Sequence, residues 1–454
     1  MKLFKRIIIA IVSIVVLVVA VVGGHYLYSE FYTVAVAKEI ELTKETKTLT
    51  AHGKGLYDTN GELVVLNGIN YGNWLLQESW MSVNSIGVEY NDDGSYVKIN
   101  NQGTVESYLE MSQDQLDEAL ANNPNLTPSQ IETLWDTYYY SYCKEEDFEN
   151  IKNVGFNMIR LPVYYRNFLK GDNDNLTLRD DAFELVDYFL ENCKKYGLYC
   201  IIDMHGVPGG QNGLEHSGTF DNEFFTNEKY IQITCDLWKT IAKHYKEDRP
   251  DLYGTIAGYD LLNEPQGTTG QTGELEWQVM DRLYDAIRSV DQDHVVIVEG
   301  CWGYDNLPDP KKYDWENVMY ELHFYNWNSS DVSYELFFMY NNLDRYMNDF
   351  NVPYYIGEFT FFTDEAVYLK YLKKWNDSAI SWSVWSYKTI SVGWWDSSWG
   401  LYVQKLELYN ENLKLDVRTA TYDEIYEEWS NQDTSDNFET GFLHKTMTKF
   451  FAEN

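Results

Sequence analysis

The sequence is short of basic residues. Lys and Arg number 35 against 71 Asp and Glu, so the 454-residue chain carries a formal charge of −36 at pH 7. A surface this negative repels phosphate backbones, which excludes nucleic acid as a partner, disfavours acidic polymers and suits neutral ones. Cysteine is scarce as well: Cys143, Cys193, Cys200, Cys235 and Cys301 form no CxxC and no metal-knuckle spacing. That excludes a disulfide framework. They read as small buried hydrophobes, Cys193 and Cys200 being the pair a single bridge would join. GxGxxG and GxxxxGK[ST] are absent, so there is no dinucleotide or phosphate loop. GxSxG and HExxH are absent too, which argues against an α/β-hydrolase and a zincin. Asp203, His205 and His216 are not expected to hold a metal: the first two alternate in a strand, with only one facing the pocket, and His216 lies remote. No cofactor is expected.

Long apolar runs are also missing, with one exception. Ile7 to Val22, interrupted only by Ser13, follows Lys2, Lys5 and Arg6. It is long for a secretion signal and short for a spanning helix. Residues 1–28 are read as a signal-anchor or signal peptide, with the rest of the chain facing outward, and 29–50 as a tether. The protein is thus expected at the extracellular face, membrane-anchored or secreted. There are no internal repeats and no low-complexity linker to a further module.

Aromatic residues are abundant: 15 Trp, 38 Tyr and 21 Phe make up 16% of the chain. Most belong in a large core, but flat rings also suit the apolar faces of pyranose sugars. From residue 51 to 454, short apolar runs alternate with helix-period stretches. The runs are Leu63–Tyr71, Asn157–Val163, Leu198–His205, Ile256–Glu264, His294–Gly300, Asn317–Phe324, Pro353–Phe359 and Ile380–Tyr387. Between and after them lie Glu146–Val154, Asp180–Tyr196, Glu228–Lys246, Glu274–Val290, Tyr334–Phe350, Asp364–Asn376 and Gly441–Phe451. Near-continuous apolar runs are what parallel strands covered by helices require. Eight β–α units in one domain predict an α/β fold, a (β/α)8 TIM barrel. Residues 79–142 after the first strand and 393–437 after the eighth read as insertions, the second with Trp at 394, 395 and 399.

Polar residues collect at the C-terminal ends of these runs, where a barrel builds its site. Arg160, His205, Asn263, Glu264, His323, Tyr325, Glu358 and Trp385 are the candidates. Two glutamates facing across the mouth carry the chemistry of a retaining glycoside hydrolase. Glu358, ionised, would attack the anomeric carbon, and Glu264, protonated, would donate to the leaving oxygen. The charge on Glu358 is expected to raise the pKa of Glu264. Arg160 and Tyr325 would hold the Glu358 carboxylate and Asn263 a sugar 2-hydroxyl. His205 and His323 would position hydroxyls or the carboxylates, with Trp385 and Trp394 as sugar-binding rings.

The segments GINYGNWL (68–75), NMIRLPV (157–163), DMHG (203–206), LLNEP (261–265), HFY (323–325), IGEF (356–359) and SVWSYK (383–388) resemble glycoside hydrolase family 5, the large cellulase and β-glucanase family. The resemblance implies retention, no cofactor, Glu264 as acid/base and Glu358 as nucleophile. NWLLQESW (73–80), LWDTYYYSYCKEEDFENIKNVGFN (134–157) and HGVPGGQNGLEHSG (205–218) look like its exo-1,3-β-glucanase branch. There, two acids bind the terminal sugar; they fall here on Glu78 and Glu215. His216, which joins the binding set, stands where that branch usually has Asn, and Glu215 where it usually has Asp. The expected substrate is a neutral β-glucan polysaccharide or oligosaccharide, β-1,3-linked or cellulose-type β-1,4-linked, cut from an end or internally. A transglycosylase using the same site and a noncatalytic cell-surface glycan-binding protein are the alternatives. Asn125, Asn175, Asn328 and Asn376 lie in Asn-x-Ser/Thr sequons.

Overall fold

A computed structural model describes residues 46–87, 109–173, 175–267, 272–301, 306–325, 348–391, 398–405, 414–434 and 437–454. The N-terminal apolar segment, most of the tether, most of the 334–350 helix, Asn328 and Trp394 lie outside the described residues. Among the described residues, no helix is long and apolar enough to cross a membrane.

Eight strands close into an all-parallel barrel: β1 (Asn67–Asn70), β2 (Met158–Tyr164), β3 (Tyr199–Gly206), β4 (Ile256–Asp260), β5 (Val295–Glu299), β6 (Val318–Tyr325), β7 (Tyr354–Thr360) and β8 (Ser381–Val384). Each pairs with the next, and β8 pairs with β1 through Trp382–Asn67 and Val384–Ile69. Residues on nearly every strand are buried on both faces, which is why the runs read as continuously apolar. Helices cover the outside with one apolar stripe each. Glu228–Lys243 buries Ile231, Thr234, Cys235, Leu237, Trp238, Ile241 and Ala242, spaced three and four apart along the helix.

The barrel interior has two layers of opposite character. Its lower end is apolar, filled by Met158, Tyr199, Ile201, Val295, Ile297, Met319 and Tyr355 and plugged by Leu49 and Leu56. Leu56 belongs to a small antiparallel sheet of Thr50–His52, Gly55–Tyr57 and Leu63–Val64. The expected first strand, Leu63–Tyr71, is thus two strands, one sealing the barrel bottom and one in its wall. The upper end is charged. Register pairs Asp203 with Asp260, Glu299 with Glu321 and His323 with Glu358. Neighbours in a parallel ladder point to the same side, so these groups gather inside the barrel in tiers at and beneath the mouth.

Residues 113–122 and 128–142 form two helices beside the mouth, each opened by a capping box, Ser112 with Gln115 and Thr127 with Gln130. Lys388–Ser391, Tyr402–Lys405 and Glu439–Thr440 form a further small sheet beyond β8. All five cysteines are buried thiols; Cys193, on the helix preceding β3, and Cys200, on β3 itself, are not bridged. Asn125 and Asn175 are exposed, but Asn376 is buried and locked to Asn67 and Trp382, which closes it to modification.

Candidate active site

A cavity of about 520 Å³ opens at the C-terminal ends of the strands, lined by Glu78, His205, Glu215, His216, Asn263, Glu264, Tyr325, Glu358 and Trp385. Trp80, Glu110, Leu214 and Trp399 complete its walls. Arg160 and His323, both fully buried, lie beneath it.

Glu358, inward on β7, is held at both oxygens. Arg160 Nη1 donates to Oε1 and the Tyr325 hydroxyl to Oε2, each at 2.8 Å. Glu264 does not end β4, which stops at Asp260. It sits in the following loop at φ +44°, a left-handed backbone that residues other than glycine rarely adopt. Its N–H donates to Glu299 Oε2 at 2.6 Å, which anchors the turn. His323 Nδ1 meets Glu264 Oε1 at 2.8 Å and His216 Nε2 meets Oε2 at 3.0 Å. One oxygen of Glu264, one of Glu358 and one nitrogen of His323 lie within 4.8 Å of one another. The two carboxylates are therefore close enough to act on one sugar carbon and its leaving oxygen.

The electrostatics overturn one expectation. Burial pushes Glu264 upward, but His216 and His323 outweigh it and hold the carboxyl well below the usual range. That direction is opposite to the rise expected from the charge on Glu358. His216, opposed by burial, is pushed up to about 10 by Glu264, Glu78 and Glu215. His323 is raised despite burial, mainly by Glu299 and Glu358. Glu264, His323 and Glu358, and likewise Glu299, Glu321 and His323, bring ligand-type atoms within 4.8 Å of one another.

Two further corrections concern β3. Asp203 and His205 are two residues apart and share a face. His205 Nδ1 lies 2.6 Å from Asp203 Oδ2, and burial pushes the imidazole down to about 3. His216 is not remote; its ring lies 6.3 Å from that of His205. The strand-8 residue Trp385 stands just past β8 and stacks on His205 at 5.8 Å. Asn263 accepts from Arg160 Nη2 at 3.0 Å, and Glu78 accepts from Trp80 Nε1 at 2.7 Å.

The charged layer below was not singled out in the sequence. Arg160 bonds Asp260 at 2.8 Å and lies 3.2 Å from Asp203 and 3.6 Å from Glu321. Glu321 also lies 3.4 Å from His323 Nε2. A Cβ on Gly357 would fall 1.4 Å from Glu321 Oε1, so the glycine of IGEF is what lets Glu321 sit under Glu358. The alternation Glu321, His323, Tyr325 in YELHFY is the sequence mark of this inward face.

Burial pushes Glu299 up to about 8, Asp203 to about 7 and Asp260 to about 6. Glu321 is raised further, by burial and then by Asp260. Such groups keep protons in the folded chain that the unfolded chain releases near pH ~4, so stability falls as pH rises from there through the folded values. The raised His216 and His323 act in the same direction above pH ~6.5, whereas the lowered Glu264 opposes it in acid and the lowered His205 opposes it from about pH 3 up to pH ~6.5. Urea midpoints are therefore expected to fall most steeply between pH ~6.5 and ~8, where no lowered group opposes the raised ones. Glu321→Gln should flatten the slope by up to about 1.4 kcal/mol per pH unit. A midpoint that is level or rising over that range would contradict the buried-acid assignment.

A family model described as Cellulase (glycosyl hydrolase family 5) matches residues 119–398. A beta-xylosidase of Phanerodontia chrysosporium is 29% identical over 374 residues, covering 75% of this chain and 71% of that protein. A glucan 1,3-beta-glucosidase of Lachancea kluyveri is 28% identical over 315 residues, covering 67% and 66%. Among solved structures, rutinosidase from Aspergillus niger shares the fold with a TM-score of 0.55 at 17% identity, covering 74% of this chain and 95% of that one. With the family model spanning more than half of its length and the barrel beneath it, this chain belongs to glycosyl hydrolase family 5.

Proposed function

We propose that the protein is a retaining glycosidase that cleaves β-glucosidic bonds in neutral β-glucans by double displacement. The observation that carries this is the approach of Glu264 and Glu358 to within 4.8 Å, with Arg160 and Tyr325 on the second carboxylate. Glu358 would attack the anomeric carbon while the leaving oxygen takes a proton from Glu264. Arg160 and Tyr325 hold both Glu358 oxygens, so the carboxylate meets the sugar already oriented. Once Glu358 is esterified, Glu264 would deprotonate the water that releases the sugar. Asn263 lines the cavity beside them, in reach of a sugar hydroxyl, and Trp385 offers a ring face.

Glu78 and Glu215 would bind the terminal sugar, next to Trp80 and Trp399. The names of relatives, glucan 1,3-beta-glucosidases in several yeasts, support a β-1,3-glucan. A net charge of −36 suits an uncharged polymer, and the apolar run at 7–22 would carry the enzyme to the outer face, anchored or released.

The test is product analysis on laminarin, lichenan, carboxymethylcellulose and mannan. Glucose released from laminarin is the expected result, and no turnover of any glucan would leave only a glycan-binding role. Products longer than the substrate would instead identify transglycosylation. In the same experiment, full-length protein should sediment with membranes or appear in the medium; retention in the cytosol would reject the outward placement.

A further inference from the structure

We propose that His216 and Glu264 work as a dyad, in which His216 stores the proton that Glu264 delivers to the leaving oxygen. The inference rests on the retaining mechanism above and adds a positioning and proton-holding residue to it.

His216 lies on a short 3-10 turn, Glu215–Ser217, in the loop after β3. The turn is pinned rather than loose. Ser217 Oγ donates to the Leu214 and Thr219 carbonyls at 2.9 Å. A Cβ on Gly206 would strike the Ser217 carbonyl at 2.3 Å, so the turn packs directly on the end of β3. The imidazole is thereby fixed with Nε2 at 3.0 Å from Glu264 Oε2, while Oε1 is taken by His323.

The surroundings of Nε2 bear on where the proton of that contact sits. Asn212 Nδ2 also lies 3.0 Å from His216 Nε2, and the same amide donates to the Glu264 carbonyl at 3.2 Å. Asn212 Oδ1 accepts from Leu214 N–H, which fixes the amide with its NH2 toward the histidine. With the proton on Nε2, the imidazolium donates to the Glu264 carboxylate. With the proton on Oε2, Glu264 donates to Nε2, whose lone pair also faces an Asn212 N–H. Only in the second state does the Asn212 N–H meet a lone pair rather than an N–H, so Asn212 favours moving the proton onto Glu264, and the transfer moves no heavy atom.

The cycle balances. His216 passes its proton to Glu264 Oε2, and Glu264 passes it to the glycosidic oxygen as that C–O bond breaks and Glu358 bonds the anomeric carbon. Glu264 then takes a proton from water as water's oxygen displaces Glu358, and returns it to His216. The charged groups facing His216 are Glu264 from the loop after β4, Glu78 from the loop after β1 and Glu215 from its own turn; His205 on β3 is neutral. The elevation of His216 to about 10 by these acids keeps the store filled well above neutral pH. Glu78 itself is pushed up to about 8 by burial, and its titration adds a step common to all variants that retain it.

His216→Gln keeps an amide N–H near Nε2 and removes the transferable proton. On phenyl β-glucoside, whose leaving group needs an acid, the basic limb of kcat/KM should move at least ~2 pH units toward acid. On 2,4-dinitrophenyl β-glucoside, which leaves unaided, kcat/KM should fall far less than on the phenyl glycoside, and an unchanged thermal melt shows the barrel intact. An unmoved basic limb, or an equal loss on both substrates at every pH, would overturn the dyad and leave His216 a structural or sugar-binding residue. Glu264→Ala, run in parallel, separates the two levels. If it slows the phenyl glycoside no more than the dinitrophenyl one, the retaining assignment itself fails; if it behaves as an acid/base loss while His216→Gln does nothing, the dyad alone fails.

Discussion

Glu358→Gln is expected to lower kcat/KM by at least about 10⁴-fold on good and poor leaving groups alike, with little change in stability. The amide is nearly isosteric with the carboxyl and can keep its neighbours. Its oxygen can accept from Arg160 Nη1, and its NH2 can donate to the Tyr325 hydroxyl oxygen, which now donates to Glu358 Oε2. What disappears is the lone-pair charge that attacks the anomeric carbon, a loss no leaving group compensates. Glu264→Gln differs in kind, because an activated aryl leaving group bypasses the need for its proton in the first displacement. Steady-state kinetics on an aryl glucoside series, with a thermal melt of each variant, separates the two. Retention of Glu358→Gln activity within tenfold of wild type would remove Glu358 from the bond-making step.

The barrel and the positions of its functional side chains were legible because period and punctuation act locally. IGEF and HFY read as strand ends, and β7 and β6 end there. NEP read the same way, yet β4 stops at Asp260 and Glu264 reaches the mouth through a left-handed turn. The turn is imposed by a tertiary contact, the Glu299 carboxylate on its N–H, which the local sequence does not encode. The charged layer was missed for a related reason. Asp260, Glu299 and Glu321 each look like one acid in an apolar run; only the barrel register brings them beside Arg160. The reading of Glu264 from Glu358 alone left out a second neighbour, His216, which arrives from a glycine-rich loop whose course depends on packing against Gly206 and Tyr164. Spacing along the chain placed the two catalytic candidates, while the loops decide which proton sits where.

Arg160→Met should destabilise the protein by about 3–5 kcal/mol, a large share of the stability a single domain has. The guanidinium is wholly buried and touches five polar side chains from four strands or the loops that follow them: Asn70, Asp260, Asn263, Asp203 and Glu358. Removing it leaves Asp203 and Asp260 without their cation in a site where burial already pushes both upward. They would respond by taking up protons, which costs little in acid and much in alkali. The deficit should therefore be smaller at pH ~5 than at pH ~8, the sign that separates lost charge neutralisation from a lost packing volume, whose cost would not change with pH. Arg160→Lys keeps one charge but not the fork that reaches Asp260, Asn263 and Glu358 together, so it should recover stability only in part. Urea unfolding of the three proteins at both pH values measures this directly. Equal deficits at the two values, or a methionine variant as stable as wild type, would mean that the buried acids carry their protons without regard to Arg160.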